Sequence, residues 1–539
     1  MKELLATYFP SIPTLHNYQE EVISKIMQRV NSLCIVPTGG GKSLVYQLAA
    51  LKLTGTTIVI SPLKALMEEQ VIELRDKNIE AISLNSDLSF EEQRKIMRNL
   101  KKTKPKLIYV SPERLFNYFF RSALISSGLD ISLVAIDEAH CISQWGIDFC
   151  PDYGNIRPFI ECLLENGHTP TILALTATLG LKAREDIKQE FDIRFENINN
   201  NIIRDNLELN FKEVHSEEEK WDTMLDFITE KNLSKVLVYL YSRPKCEELA
   251  AELEGSDFFH AGLSLEEKNR VLRDFKAGKI KVLFSTTAFG MGINIPDIDG
   301  VIHYQIPESV EEYYQHVGRG GRDKKLCPVC HCLFLWSETN FDRKARRIRS
   351  NTLTKEDIDK GFDHLALKKK AGKKTYVKWE VIYNNDGSYG SANLSLVRSM
   401  FEKHGVCESV GDVFGSPTSI ILKKDTPLWS EMLKKIYPRN QFLIAEKRTG
   451  ISLGRLIDHI YEQELKGNIK TLPATERTLF LRGFYDQLPD QKYEEIINES
   501  LEVQTFKLDR LGELKTLCLV GDKFTYIAQI LDVPYGKNK

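Results

Sequence analysis

Short apolar runs rich in β-branched residues alternate with longer amphipathic segments through most of the chain. A first set of runs covers residues 33–36, 57–60, 106–110, 133–136 and 171–175, and a second set covers 235–239, 281–285 and 300–303. Each run ends in a cluster of polar residues, glycine or proline. Runs of this length are typical of parallel strands that are buried on both faces and joined by helices. The pattern therefore predicts two α/β domains in series.

Two changes of composition predict where these domains end. An asparagine-rich turn lies within 199–206, and the apolar pattern stops at 336–351. We therefore predict units at 1–205, 206–345 and 346–539. In the last unit, 368–374 is a basic stretch that suits either DNA backbone contact or a solvated linker, 384–391 is a polar turn, and 452–465 is predicted to be a helix.

Charge and cysteine content restrict the class of protein. Of 539 residues, 73 are Lys or Arg and 75 are Asp or Glu, a net charge of −2, which argues neither for nor against a nucleic-acid partner. The 10 cysteines are mostly scattered singly, as in a reducing compartment. No apolar run reaches the roughly 18 residues of a membrane span, and no signal peptide is apparent. We therefore predict a cytoplasmic protein without a membrane partner.

A glycine-rich segment, residues 37–43, follows the first predicted strand and precedes a predicted helix. Glycines let backbone N–H groups approach phosphate oxygens, and a helix N-terminus adds positive potential. In this pattern Lys42 would reach the β- and γ-phosphates, and Ser43 would hold Mg²⁺. A chance glycine-rich turn is the alternative interpretation. The predicted nucleotide-binding residues of the segment are Thr38, Gly39, Gly40, Gly41, Lys42 and Ser43.

Two adjacent carboxylates, Asp137 and Glu138, follow the predicted strand 133–136. Ligands of parallel sheets bind at the carboxyl ends of the strands. Asp137 would hold Mg²⁺ and Glu138 would orient the attacking water, since phosphoryl transfer needs positioning and charge neutralisation. Surface charge is the alternative interpretation.

Two arginines three residues apart, Arg319 and Arg322, lie in the segment Gln-His-Val-Gly-Arg-Gly-Gly-Arg-Asp at 315–323. Arginines that reach a triphosphate from an opposing domain stabilise transition-state charge. We predict this catalytic role for both, against the alternative of a solvated Gly-Arg turn.

Taken in order, these motifs resemble the RecQ family of superfamily 2 DNA helicases, up to about residue 340. Further segments carry the resemblance: Gln19, 61–67, 111–115, 143–146, 174–178, 260–263 and 288–294. The resemblance implies an ATP-dependent motor that moves on single-stranded DNA, usually 3′ to 5′, unwinds duplex or forked DNA, and serves DNA repair, recombination or a related process. The implied fold is two tandem RecA-like parallel-sheet domains, followed here by a smaller, mainly helical or winged-helix-like region.

The resemblance also implies roles for single residues. Gln19 would contact adenine, and Thr176 and Thr178 would couple the ATP site to DNA. The segments that line DNA in the family contain Ser61, Ser111, Arg114 and Thr287. Residues 143–153 resemble the family's aromatic-rich loop, in which Trp145, Phe149 and Tyr153 would stack on bases or belong to the core.

The chain departs from the family pattern at several positions. Leu15 and His16 replace a usual Phe-Arg, and Gly320 replaces a usual alanine. Ile12, Ile147, Cys150 and Ile295 also differ from the usual residues. Many members carry a four-cysteine zinc module after the motor, but beyond residue 340 this sequence has only Cys407 and Cys518. A cluster within the second domain provides half a zinc site, so we expect buried structural cysteines rather than zinc: Cys327, Cys330, His331 and Cys332.

Several functions remain open from sequence. We expect a DNA helicase that uses ATP and Mg²⁺, with a possible protein partner for the C-terminal region. The first alternative is a DNA-stimulated translocase subunit of a larger complex without robust unwinding. A nucleotide-gated scaffold and an RNA helicase are further alternatives.

Overall fold

The protein is described from a computed structural model. It describes residues 1–36, 39–85, 88, 90–115, 117–142, 151–177, 180–199, 201–290, 293, 295–365, 374–378, 394–412, 417–422, 463, 466–473 and 478–535. No helix in these ranges is both long enough and apolar enough to cross a lipid bilayer.

The first domain, lobe 1, is a seven-stranded parallel sheet in the order β3-β4-β2-β5-β6-β1-β7. Its strands are β1 (Ser32–Ile35), β2 (Thr56–Ile60), β3 (Ala81–Leu84), β4 (Leu107–Val110), β5 (Ile131–Ile136), β6 (Thr171–Thr176) and β7 (Glu196–Asn199). Its helices are α1 (Lys2–Tyr8), α2 (Asn17–Met27), α3 (Lys42–Lys52), α4 (Lys64–Asp76), α5 (Phe90–Thr103), α6 (Tyr118–Ser126), α7 (Ile156–Glu165) and α8 (Leu181–Phe191). Short 3₁₀ turns occupy Pro112–Arg114, Ala139–Ile142 and Pro151–Asn155.

The second domain, lobe 2, is a six-stranded parallel sheet in the order β10-β11-β9-β12-β13-β8. Its strands are β8 (Leu207–Glu213), β9 (Val236–Tyr239), β10 (Ser256–Phe259), β11 (Val282–Ser285), β12 (Gly300–His303) and β13 (Cys330–Trp336). Its helices are α9 (Glu217–Glu230), α10 (Arg243–Glu252), α11 (Leu265–Lys276), α12 (Val310–Val317) and α13 (Glu338–Ser350).

Every strand predicted from an apolar run is confirmed. Strands β1, β2, β4, β5 and β6 are buried along their whole length, as are β9, β11 and β12. Helices complete three hydrophobic clusters: one within lobe 1, one within lobe 2, and one that contains residues of both lobes and of the C-terminal helices. The sequence did not predict β7, because three of its four residues are exposed and its pattern is polar.

The C-terminal unit has a hydrophobic core of its own. It contains α14 (Lys355–His364), β14 (Lys374–Lys378), α15 (Leu394–Lys403), β15 (Cys407–Asp412), β16 (Pro417–Leu422), β17 (Ile469–Pro473), β18 (Thr478–Gly483), α16 (Asp490–Leu519) and α17 (Lys523–Leu531). Strands β14, β18 and β15 form an antiparallel sheet, and β16 pairs with β17. The unit predicted as mainly helical or winged-helix-like thus combines helices with two small antiparallel sheets. Apart from Lys374 and Gln463, the predicted features at 368–374, 384–391 and 452–465 lie outside the described residues.

Candidate active site

The glycine-rich segment leads from β1 into α3. Gly39 and Gly41 have φ of 78° and 79°, a left-handed conformation that glycine adopts without a steric penalty. Gly41 is the N-cap of α3, and among the residues that the structure describes no side chain caps this helix, so its first N–H groups can receive an anion. Lys42 and Ser43 begin the helix. Thr38 lies outside the described residues.

Two residues of α2, Tyr18 and Gln19, contact the backbone of the glycine-rich segment. The amide nitrogen of Gln19 lies 3.4 Å and 3.3 Å from the carbonyl oxygens of Gly40 and Gly41, and the Tyr18 hydroxyl donates to Gly40. Gln19 also accepts a hydrogen bond from the backbone N–H of His16, at 2.9 Å. Its side chain therefore supports the phosphate loop in this structure, and its adenine contact stays a prediction. The sequence motifs gave no signal for Tyr18.

The two carboxylates follow β5 directly and face the loop. The Lys42 ammonium lies 3.1 Å from Oε1 of Glu138 and 3.9 Å from Oδ1 of Asp137. Glu138 has φ of 49°, a strained conformation for a residue with a side chain. The fold thus brings Lys42, which is partly buried at the start of α3, against the two buried carboxylates at the end of β5.

The pKa values of the two carboxylates shift in opposite directions, because burial dominates at Asp137 and positive neighbours dominate at Glu138. Burial raises the pKa of Asp137 to about 6, although the Lys42 charge opposes the shift. Burial also acts to raise the pKa of Glu138, but Lys42, His140 and Arg319 outweigh it and the pKa is lowered. Glu138 is therefore held ionised, whereas Asp137 lacks full compensation by positive charge.

These donors fit a magnesium–triphosphate complex. Mg²⁺ prefers oxygen ligands, which Asp137 and the Ser43 hydroxyl provide beside the N-terminus of α3. The raised pKa of Asp137 indicates a carboxylate that a nearby cation would stabilise. Residues Ser43 and Asp137 would thus hold the metal together with nucleotide phosphates.

His140 links the carboxylates to the end of β6. Its Nδ1 lies 3.3 Å from Oε2 of Glu138 and 3.0 Å from the hydroxyl of Thr176. Burial lowers the pKa of His140, although the Glu138 charge opposes the shift. His140 therefore contacts both Glu138, which is predicted to orient the attacking water, and Thr176. Thr178 lies outside the described residues.

The aromatic-loop prediction is only partly described. Trp145 and Phe149 lie outside the described residues. Tyr153 is 1% exposed, and its hydroxyl donates to the carbonyl oxygen of Asp137 at 2.7 Å. Tyr153 is therefore a core residue without a free face for a base, which decides between the two interpretations of this position.

The two arginines of lobe 2 face the phosphate loop of lobe 1. Cδ of Arg322 lies 3.7 Å from the position that a Cβ on Gly39 would occupy. The Arg319 charge lies close enough to Glu138 to lower the pKa of that carboxyl. Nε of Arg319 is buried without a hydrogen-bond acceptor among the described residues. The cleft thus collects positive charge where a γ-phosphate is predicted.

Arg204, in the connection between the lobes, holds the arginine segment in place. Its Nη1 donates to the carbonyl oxygens of Gly318 and Gly320, at 3.2 and 2.8 Å, and its Nη2 donates to Gly321. Asn206 also donates to Gly321, at 2.8 Å. Sequence reasoning missed both residues, since it treated 199–206 only as a boundary. Their polar side chains directly before β8 were the available signal.

The cysteine cluster belongs to β13 and to the loop before it. Cys327, Cys330 and Cys332 are buried, and Nδ1 of His331 lies 3.2 Å from Glu208 Oε2. Among the described residues, no group of three or more His, Cys, Asp or Glu side chains is arranged to hold a metal. The expectation that these residues are structural cysteines rather than zinc ligands stays a prediction.

The residues predicted to line DNA lie at strand ends. Ser61 follows β2 and Ser111 follows β4, and both are buried. Nη2 of Arg114 lies 3.3 Å from the carbonyl oxygen of Asn85. Thr287 follows β11 and lines a small pocket with Tyr241, Gln305 and Glu312. These positions share the carboxyl edges of the two sheets, and their contact with DNA stays a prediction.

Comparisons with known proteins agree with this geometry. A DEAD/DEAH box helicase model matches residues 16–187, and a model of the helicase conserved C-terminal domain matches 219–324. The ATP-dependent DNA helicase RecQ of Bacillus subtilis (strain 168) is 40% identical over 341 residues, which are 62% of this chain and 56% of that protein. The probable ATP-dependent DNA helicase RecS of the same organism is 34% identical over 347 residues, 63% of this chain and 68% of that protein.

The matches span about half the length of the RecQ relatives. Among solved structures, the DUF1998 helicase MrfA bound to DNA has a TM-score of 0.54 at 18% identity and covers 76% of this chain and 58% of that one. This likeness concerns the fold alone. Two RecA-like parallel-sheet domains are therefore confirmed, and the two family matches coincide with lobes 1 and 2.

Proposed function

Because the chain belongs to the RecQ family of superfamily 2 ATP-dependent DNA helicases, we propose that it hydrolyses ATP to move along single-stranded DNA and unwind duplex DNA. The observation that carries this proposal is the meeting of Lys42, Asp137 and Glu138 from lobe 1 with Arg319 and Arg322 from lobe 2. A site divided between two lobes allows hydrolysis to change their separation.

Each residue has a separate role in this proposal. Bound Mg²⁺-ATP supplies the scissile phosphate and a cation that neutralises its charge. Lys42 and the N-terminus of α3 hold the phosphates, and Ser43 and Asp137 hold the metal. Glu138 orients and polarises the attacking water, for which its lowered pKa keeps it ionised. Arg319 and Arg322 stabilise negative charge in the transition state.

The side-chain contacts from Glu138 through His140 to Thr176 support a coupling between hydrolysis and DNA binding. Thr176 ends β6 at the edge of the sheet where the segments predicted to line DNA also lie. A DNA strand that displaces this edge would move His140 and thereby the catalytic carboxylate. Tyr153, in the segment that resembles the aromatic-rich loop, likewise connects that loop to Asp137 by a hydrogen bond to its carbonyl oxygen.

Finer points of the proposal rest on the family. Movement from 3′ to 5′, forked DNA as substrate, a role in DNA repair or recombination, and a cytoplasmic location are carried over as predictions. A protein partner for the C-terminal unit is predicted in the same way.

A translocase without robust unwinding is the second candidate. The observation that favours it is the end of the family matches at residue 324, before the C-terminal unit begins. Strand separation in such a motor depends on the domains attached to the lobes, whereas ATP-driven movement depends on the lobes themselves.

One experiment tests the proposal and separates the two candidates. ATP hydrolysis is measured with and without single-stranded DNA, while unwinding of a duplex with a 3′ single-stranded tail is followed in the same tube. DNA-stimulated hydrolysis with unwinding supports the helicase, and stimulation without unwinding supports the translocase. Single-stranded RNA in place of DNA tests the RNA alternative. No stimulation by any nucleic acid contradicts both candidates.

Three variants connect the result to the site. Lys42→Ala should abolish turnover, and Glu138→Gln should bind ATP without hydrolysing it. Wild-type turnover in Glu138→Gln would remove the catalytic assignment. Trp145→Ala should lower DNA stimulation more than the basal rate.

A further inference from the structure

Helices α16 and α17 of the C-terminal unit contact both lobes. Helix α16 packs against α12 and α13 of lobe 2, and α17 packs against α12. Their helix-to-helix packing is on lobe 2, and their apolar side chains belong to a hydrophobic cluster that also contains residues of both lobes: Leu511, Leu514, Leu517, Ile527 and Leu531. Apolar packing of this extent is non-directional and survives small displacements. The helix pair is thus anchored on lobe 2.

The hydrogen bonds described between this pair and α8 of lobe 1 are made by Arg184. Nη1 of Arg184 lies 2.9 Å from Oδ2 of Asp532, and Nη2 donates to the carbonyl oxygens of Leu531 and Asp532, at 2.9 and 3.0 Å. Asp532 ends α17 with φ of 47°. A guanidinium here satisfies the last carbonyls and interacts favourably with the helix dipole. Hydrogen bonds are directional, so this contact is lost when the lobes separate.

A second contact brings three elements together at Gly180, the residue before α8. Nη1 of Arg510, in α16, lies 2.9 Å from Oε1 of Glu311 in the first turn of α12. A Cβ on Gly180 would lie 2.8 Å from Nη2 of Arg510 and 3.0 Å from Glu311 Oε1. The junction therefore touches lobe 1 shortly after Thr176 and lobe 2 on the helix that leads to Arg319.

We propose that α16 and α17 form a latch that holds the lobes in the closed arrangement and so positions Arg319 and Arg322 at the phosphate site. The latch residues are Arg184, Glu311, Arg510 and Asp532. They are positioning residues, since none of them touches the reacting atoms. The kinetic part of the inference rests on the proposed function, because only a hydrolysing motor needs the lobes closed for turnover.

The latch predicts an asymmetry between basal and DNA-stimulated hydrolysis. Without DNA, closure depends on the latch, so its loss should lower the basal kcat/KM for ATP by about tenfold, a usual size for a coupling between sites. DNA bound across both lobes also favours closure, so the stimulated rate should fall by a smaller factor. The ratio of stimulated to basal rate should therefore rise.

The experiment uses the full chain with Arg184→Ala and Asp532→Arg. The first removes all three hydrogen bonds, and the second places a like charge against Arg184 at a residue whose side chain is 45% exposed and therefore tolerant of change. The radius of gyration is measured by small-angle X-ray scattering without ligands, and again with a non-hydrolysable ATP analogue and single-stranded DNA. Basal and stimulated hydrolysis are measured on the same preparations.

Lys515→Ala is the matched control. Lys515 lies on α16 and pairs with Glu338 of α13 at 2.5 Å, and the two side chains are 39% and 54% exposed, so its loss removes a surface ion pair and leaves both the contacts with lobe 1 and the apolar packing on lobe 2. The control should keep the wild-type ratio and radius. Thermal unfolding of each variant shows whether the chain is folded, and Asp532→Arg tests the latch should Arg184→Ala fail to fold.

Expansion of the ligand-free latch variants, reversed by nucleotide and DNA, together with a larger loss in the basal rate, supports the latch. An unchanged radius, or equal factors of loss in the two rates, overturns it. A wild-type protein without ATPase activity contradicts the proposed function instead, and the scattering result still tests the latch.

Discussion

The thiol of Cys330 occupies the space into which a side chain at position 320 would project. A Cβ built on Gly320 would overlap Sγ of Cys330 and lie 3.0 Å from Cγ2 of Val301. The glycine that departs from the family pattern is thus matched by a buried cysteine on β13. The pair lies beside Arg319, so its packing affects the position of the two arginines to which we assign a catalytic role.

Gly320→Ala should therefore destabilise the protein by about 1–3 kcal/mol, the usual cost of overpacking a core. The overlap would also displace the arginine segment and lower kcat. Cys330→Ala removes the obstructing sulfur, so the double variant should recover much of both losses. Thermal unfolding and ATPase assays on the four proteins of this cycle measure the coupling. Additive effects of the two substitutions would contradict the steric explanation.

Arg204→Lys should lower kcat more than it weakens nucleotide binding. A lysine keeps the charge but cannot serve the carbonyls of Gly318, Gly320 and Gly321 in the fixed geometry of a guanidinium. Loss of charge-assisted hydrogen bonds worth about 1.5–3 kcal/mol corresponds to a fall in kcat of roughly 10- to 100-fold. Steady-state kinetics and nucleotide titration separate the two effects.

The neighbouring ion pair of Lys324 with Asp205 is exposed and offers a control. Lys324→Ala should change little, since exposed pairs contribute about 0–1 kcal/mol. A proportional loss of nucleotide affinity and kcat in Arg204→Lys would mean that Arg204 acts on the fold as a whole.

Binding of Mg²⁺-nucleotide should weaken as the pH falls through about 6, where Asp137 takes up a proton. The sign follows from the raised pKa, because the ionised form that binds metal is present above this value and lost below it. At pH 5, affinity should be roughly tenfold weaker than the value extrapolated from neutral pH. Calorimetric titration of the wild-type protein with a non-hydrolysable ATP analogue measures this without hydrolysis and keeps the Glu138 charge, which contributes to the raised pKa of Asp137.

The same titration of Asp137→Asn separates Asp137 from the titration of the nucleotide analogue itself. This variant should retain only the pH dependence of the ligand. Identical pH profiles for the two proteins would show that Asp137 does not titrate in this range.

Thr176→Val should reduce DNA stimulation while basal hydrolysis is largely kept. The substitution preserves shape but removes the hydroxyl that lies 3.0 Å from His140. Thr57→Val makes the same change on β2, where the hydroxyl is buried without a hydrogen-bond partner in the described structure. The control should therefore match or exceed wild-type stability. Equal stimulation in the two variants would exclude the His140–Thr176 contact from coupling.

Much of the motor could be predicted from residue patterns. The apolar runs located the buried strands, because a strand covered on both faces must be apolar throughout. The places of Lys42, Asp137 and Glu138 in the fold were also predictable, since each stands where a strand gives way to a loop or helix, and their catalytic role stays a proposal. Tyr153 could not be assigned, because an aromatic residue has the same pattern in a core as on a stacking surface.

Contacts made by ordinary residues at long range gave no such signal. Arg204, Cys330 and Asp532 belong to no motif, and each acts on a partner distant in sequence. The sequence by itself determined the two parallel sheets and the residues at the phosphate site, since strand burial and phosphate chemistry restrict residue type locally. Only the tertiary structure decided how the two lobes are held together, because hydrogen bonding and close packing there depend on which side chains the fold brings within a few ångströms.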